Sequence, residues 1–485
     1  MPAYVYQRNV GDDEYIARVR RHAPSSLLPV IAEAGAQYWE PGSWLDGDYR
    51  KLTPWALADI ARVSLVSGNE HRKPATRRDL LECAAAYSAL VELKSAQDPI
   101  VSFLLRKASE QFAYNESRYH NLLRTAAIFD QTTPTQELTI LQSGWFEDLF
   151  GCSLSQYVGI GFIVHAVAVR HGGRFNETWL DDPQLEPITS KVPVSIVRAV
   201  IENHLAGGIS HYQQERSNFR PSPVRRYTFN PLIDRPIVSG ITDEYLLPVP
   251  GLIERKNSPL GIWYAGIDKW HNAFAKEVGH LFEEYVGRHL NLITDATLIP
   301  EITYDKDHKR SVDWIVVTDD FVLLVEVKSA RPTEPIRLGS TEAWDDLVTK
   351  FVKAFEQIEK TNQKIEGNTA FSRIPRDRPR IGLIITMERF PFTNWPEIRR
   401  RLNISPSIAT CVGSSEELEL LVTLKDQEPL QFLWDFLNDP DKRAFDLEAE
   451  LRNRGEEAFE TNAVMDAAWT SYDWGLPAFD EEDAS

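Results

Sequence analysis

Ser311 to Ser329, SVDWIVVTDDFVLLVEVKS, decides how the C-terminal half of this chain is read. Two apolar runs, Val312 to Val317 and Phe321 to Val327, are rich in β-branched and aromatic residues and flank a polar Thr-Asp-Asp that suits a turn. With Asp319 and Asp320 as a two-residue hairpin loop, Thr318 pairs with Phe321 and Asp313 lies directly across from Glu326. Facing residues of an antiparallel ladder hold their Cβ atoms roughly 4.5 to 5.5 Å apart, so two carboxylates meet. Alternation places Lys328 on the face of Glu326, with Phe321, Leu323, Val325 and Val327 on the other. Buried like charges at that spacing are costly, and a divalent cation that prefers hard oxygen ligands, Mg²⁺ or Mn²⁺, is the expected neutralising partner.

The Glu-x-Lys tripeptide alone carries little. It recurs at Glu92-Leu93-Lys94, in a helical pattern, and at Glu254-Arg255-Lys256, in a polar stretch with no facing Asp. What distinguishes Glu326 is the upstream Asp in hairpin register and the apolar strands that would bury both acids.

Upstream, a helix is predicted from about Ile267 to Leu290, with Phe274, Val278, Leu281, Phe282, Tyr285 and Leu290 as its apolar stripe and Gly279 as a point of close approach to a sheet. Ala296 to Thr303 reads as a strand that Pro300 assigns to an edge or a bend. Downstream, Thr341 to Ile365 reads as a second long helix carrying Lys350, Lys353 and Gln357, followed by a strand at Arg380 to Thr386, a helix at Trp395 to Leu402, a strand at Ser407 to Val412 and a helix from Ser415. The fold class is therefore α/β: a mixed central sheet flanked by helices.

Residues 1–216 read as a mainly helical domain, with a helix start at Thr76-Arg77-Arg78-Asp79 and the scattered acids of these helices facing solvent. Seven prolines between Ser217 and Tyr264 make 217–265 a connector with short extended pieces, and 266–440 holds the sheet. The remainder, 441–485, has 13 acidic against 4 basic residues and reads as a partly ordered acidic tail whose aromatic stretch Trp469 to Trp474 could dock on a basic groove or a partner.

Of the 485 residues 43% are hydrophobic and 26% charged, an ordinary globular composition. The longest apolar run, Tyr157 to Val169, is too short for a bilayer and contains His165, and Met1 to Gly11 has no signal-peptide core; a cytoplasmic protein with no membrane partner is expected. Cys83, Cys152 and Cys411 are too scattered for a disulfide framework or a zinc site. The net charge of −18 opposes binding nucleic acid over the whole surface, but half of the excess lies in the last 45 residues. Arg72 to Arg78, Arg216 to Arg226 and Lys306 to Arg310 are then candidates to line a nucleic-acid groove. No phosphate-binding Gly-x-x-x-x-Gly-Lys-Ser/Thr sequence is present, so no ATPase is expected.

Asp313 and Glu326-Val327-Lys328, preceded by Gly279 to Val286 (GHLFEEYV) and followed by Phe355 to Ile358 (FEQI), resemble the PD-(D/E)xK nuclease superfamily, with its restriction-endonuclease-like fold. The resemblance covers about Trp270 to Val422 and departs from the pattern in having Val312, not proline, before Asp313. It implies that Asp313, Glu326 and the Val327 carbonyl hold Mg²⁺ and that Lys328 orients or deprotonates the attacking water; desolvated near that cation, Lys328 is expected to have a depressed pKa and to act as base. Glu283, with Glu284 as the alternative, matches the acid these enzymes carry on the first helix, and Gln357 a glutamine on the second. The implied activity is phosphodiester hydrolysis, as an endonuclease on DNA more than RNA, paired as a homodimer or higher even oligomer and serving restriction or defence against phage. A non-catalytic nucleic-acid or protein-binding module on this fold and an RNase are the alternatives.

Overall fold

The computed structural model describes residues 9–39, 52–92, 99–112, 118–333, 336, 338, 347–390 and 392–474. The chain divides into two compact units: one takes Met1–Thr125, Ser143–Ala265 and the chain from Trp469; the other takes Ala126–Gln142 and Gly266–Ala468.

The second unit is mixed α/β. Five strands, β1 (Thr297–Pro300), β2 (Trp314–Val317), β3 (Val322–Lys328), β4 (Arg380–Thr386) and β5 (Thr410–Ser414), form one sheet in the order β5-β4-β3-β2-β1. The first three are antiparallel neighbours, while β4 and β5 are added parallel to β3. Pro300 closes the edge strand, where a missing N–H costs the ladder nothing. Central β3 and β4 are buried along almost their whole length, which is why their sequences are apolar without alternation.

Helix α1 (Pro259–Leu290) starts on a proline and is interrupted by the non-helical backbone of His271. Its close approach to the sheet falls at Gly287, not Gly279. A Cβ on Gly287 would lie 2.2 Å from the Trp314 ring, whereas one on Gly279 would make an ordinary 3.4 Å contact with Ser329. Trp314 also donates its indole N–H to the Glu283 carbonyl at 2.9 Å, fixing this turn of α1 against β2. Helix α2 (Lys353–Gly367) buries Ala354, Phe355, Ile358, Thr361 and Ile365, an amphipathic spacing, and follows a π-helical turn at Val348–Val352. The first turns expected for this helix, 341–346, lie outside the described residues.

In the first unit Thr76 and Asp79 form a capping box at the start of Arg77–Ser88, as their spacing predicts. Helix Pro24–Trp39 carries Pro29 inside it, so the apolar periodicity there is masked by residues that read as breakers. The proline-rich stretch contributes Ile237–Ser239 and Tyr245–Leu246 to a small four-stranded sheet with Arg174–Phe175 and Ala206–Gly208.

Two expectations about charge are corrected here. Arg225 and Arg226 do not line an open groove: Arg225 pairs with Asp59 and Asp12 at 2.7 and 2.9 Å, and its side chain is 2% exposed. Arg226 pairs with Glu92 and Glu110. Nor do all acids of these helices face solvent, since Asp59 and Glu110 are buried as partners of those arginines. Burial of one member forces burial of the other, because an unpaired charge in an apolar core is far costlier than a paired one. Arg72, Arg77, Arg78, Arg216, Arg220 and Lys306 to Arg310 are exposed.

The region read as an acidic tail is built into both units up to Trp474. Leu447 and Leu451, four apart on Leu447–Arg452, are buried, and the Glu448 N–H donates to Glu417 at 2.9 Å. Farther on, Trp474 donates to the Ser155 carbonyl at 2.6 Å and stacks on Phe162, so the aromatic stretch seats on the apolar helix Leu154–Arg170 and not on a basic groove. The most acidic segment, 475–485, lies outside the described residues.

Candidate active site

The β2–β3 hairpin adopts the register its sequence implies. Trp314 pairs with Val325 and Val317 with Val322, while the Thr318 N–H bonds the Phe321 carbonyl across the Asp319-Asp320 loop. One step beyond the last pair, Asp313 stands opposite Glu326, and Asp313 Oδ2 accepts the Val327 N–H at 2.6 Å. Lys328, two residues on from Glu326 and therefore on its face, donates to Glu326 Oε1 at 2.5 Å.

From α1, Glu283 lies close enough to Asp313 to feel its charge, whereas Glu284 turns to the Thr135 hydroxyl at 2.7 Å. Gln357 on α2 donates to the carbonyls of Arg310 and Ser311, the latter at 2.9 Å, so it braces the chain that leads into Asp313.

One carboxylate escapes the sequence reading. Pro300 pairs with Trp314 across β1 and β2, so the next residue, Glu301, faces Asp313 from the other side. Glu301, one residue past the end of β1, and Asp313, one residue before β2, are close enough for the Asp313 charge to bear on Glu301, as it does on Glu326. Extending the hairpin's register count to the edge strand would have found Glu301. His280, 3.4 Å from Glu283, borders the same group.

The charges are mutually perturbing. Burial, then the neighbouring Asp313 charge, pushes Glu326 up to about 8 against the opposing pull of Lys328. Burial likewise raises Asp313 and Glu283, the latter with help from Asp313. Glu301 is raised first by burial and also by Asp313, with Arg310 opposing. For Lys328 burial would lower the pKa, but the ion pair with Glu326 outweighs it and holds the ammonium above its ordinary range. With no cation beside Lys328, the carboxylate at hydrogen-bond distance decides the sign of the shift.

Among the described residues no group of three His, Cys, Asp or Glu side chains is already arranged to hold a metal ion. Glu326 Oε1 is turned to Lys328 and Asp313 Oδ2 to a backbone N–H. The donor chemistry nevertheless suits a hard divalent cation: the donors are all oxygen, and Glu326 Oε2 is buried without a hydrogen-bond partner. Ligation requires Glu326 to exchange Lys328 for the ion.

The chain matches no family model and no curated protein. Among the described residues no helix is long and apolar enough to cross a membrane.

Proposed function

We propose that the second unit is a metal-dependent phosphodiesterase with a restriction-endonuclease-like fold, acting on DNA in preference to RNA. The observation that carries this reading is the hairpin register that brings Asp313 to Glu326 with Lys328 on the same face, with Glu283 of α1 near enough to feel the Asp313 charge.

Asp313, Glu326, Glu283 and the Val327 carbonyl would hold Mg²⁺ or Mn²⁺. When bound, the ion supplies neutralising charge for the carboxylates and Lewis acidity toward a phosphoryl oxygen and a water. Lys328, which gives up Glu326 when the ion binds, would orient the nucleophile and stabilise charge developing on the phosphate through its ammonium group. Gln357 holds the approach to Asp313 rigid and so keeps the two acids in register. Glu301 adds negative charge behind Asp313, which favours occupancy by a cation over a bare proton.

Supercoiled plasmid incubated with the full chain and Mg²⁺ is expected to be nicked and linearised, and chelation or Asp313→Asn to reduce the rate by about a thousandfold or more. Digestion of RNA in parallel, with plasmid left intact, would move the substrate to RNA. No cleavage of either would remove the catalytic reading.

A further inference from the structure

A cavity of about 390 Å³ opens beside Glu326 and Lys328, and its other side is formed by α2 and the π-helical turn before it. Among the described residues its charged lining is Lys328, Lys350 and Lys353 against Glu326, in a chain whose net charge is −18. The polar remainder is Ser329 and Thr349, whose hydroxyls can donate hydrogen bonds, and Gln357, whose amide N–H groups are held by the Arg310 and Ser311 carbonyls. Lys353 is exposed and Lys350 half-buried.

The composition is the reverse of the acid group next to it. A polyanion approaching Asp313, Glu326 and Glu283 meets repulsion from these carboxylates, and an ion between them offsets only part of it. Three ammonium groups around one small cavity supply the opposing attraction. Hydroxyl donors among them fit phosphate oxygens, which accept from several directions at once.

We propose that this cavity binds the DNA backbone phosphate adjacent to the scissile one, with Lys353 and Lys350 as its principal contacts. The inference rests on the phosphodiesterase reading for the identity of the ligand but on the cavity for its place. Lys353 and Lys350 carry no sequence information to the site; they position the strand so that the neighbouring phosphate lies over Glu326 and Lys328.

The test is binding of a short fluorescein-labelled DNA duplex by the full chain in Ca²⁺ at several salt concentrations, alongside plasmid cleavage in Mg²⁺. The variants are Lys353→Glu, the double Lys350→Glu/Lys353→Glu and the milder Lys353→Gln, each checked for an unchanged melting temperature. Lys425→Glu, an exposed lysine outside the cavity, controls for net charge. The double variant is expected to weaken binding about tenfold or more and to reduce the slope of log affinity against log salt by about 2, Lys353→Gln by about 1, and Lys425→Glu by little. Equal losses for Lys425→Glu and Lys353→Glu, or wild-type affinity in the double variant while the wild type cuts plasmid, overturn the cavity assignment and leave the hydrolase standing. Wild-type binding that depends on both lysines but brings no cleavage upholds the phosphate site and overturns the catalytic reading. A wild type that neither binds nor cuts overturns both.

Discussion

Glu326→Gln is expected to abolish hydrolysis and yet to make the metal-free protein melt higher than the wild type at neutral and mildly alkaline pH. Glu326 is 5% exposed, and burial with the nearby Asp313 raises its pKa from 4.5 to about 8 in the folded state. Below the unfolded-state value both states hold the proton and the residue costs nothing. As pH rises, the unfolded chain ionises first and the folded state falls behind, so stability is lost from about pH 4.5 up through about pH 8. Glutamine stays neutral throughout and can still accept from Lys328. A shift of this size gives the variant about 2–3 kcal/mol near neutrality, after allowing for the weaker bond to Lys328. That corresponds to a melting temperature higher by roughly 5–10 °C for a unit of this size. The advantage should vanish near pH 4.5, and Mg²⁺ should stabilise the wild type but not the variant. Calorimetry across this pH range reads the effect, and a variant that melts lower at pH 8 would contradict the assignment of Glu326 as a strained, buried acid.

Arg225→Ala should show the opposite pattern, a large loss of stability confined to the first unit. The guanidinium satisfies Asp59 and Asp12 together, and Arg62 bonds the Arg225 carbonyl at 3.1 Å and the Thr228 hydroxyl at 2.7 Å. Removing Arg225 strands two carboxylates whose side chains are 5% and 7% exposed. Such a deletion costs about 3–5 kcal/mol, a fall in melting temperature of about 10 °C, and rather more than either missing hydrogen bond would suggest. Double replacement of Arg225 and Asp59 by apolar residues should recover part of this, since neither charge then lacks its counterpart. Denaturant titration of the three proteins measures it, and a single variant within about 0.5 kcal/mol of wild type would show that the network carries no stability.

These two sites also mark what the sequence discloses and what it hides. The hairpin was legible because its turn, its apolar alternation and its facing acids all specify one register, and a slip by one residue would have turned Val325 and Val327 outward. Glu301 belongs to the same logic but sits after Pro300 on a short edge strand, where residue type alone does not reveal pairing. Arg225 and Arg226 were misread because a run of basic residues says nothing of burial. The signal lay elsewhere, in Asp59 and Arg62 as the charged members of an otherwise apolar helix, Pro54–Ser67. A charged pair on a stripe with no polar face has nowhere to go but inward. Lys328 shows a third limit: desolvation was foreseen, but the sign of its pKa shift depends on a 2.5 Å contact that only the folded chain creates.

Titration of Mn²⁺ into the purified full chain, followed by calorimetry near neutral pH, tests most directly whether Asp313 and Glu326 are a cation site. The wild type should bind with measurable heat and release protons from the raised carboxylates, seen as a dependence of that heat on the buffer's ionisation enthalpy. Asp313→Asn and Glu326→Gln should each weaken binding by about tenfold or more. Absence of binding in the wild type, or equal binding in all three proteins, would contradict the proposal.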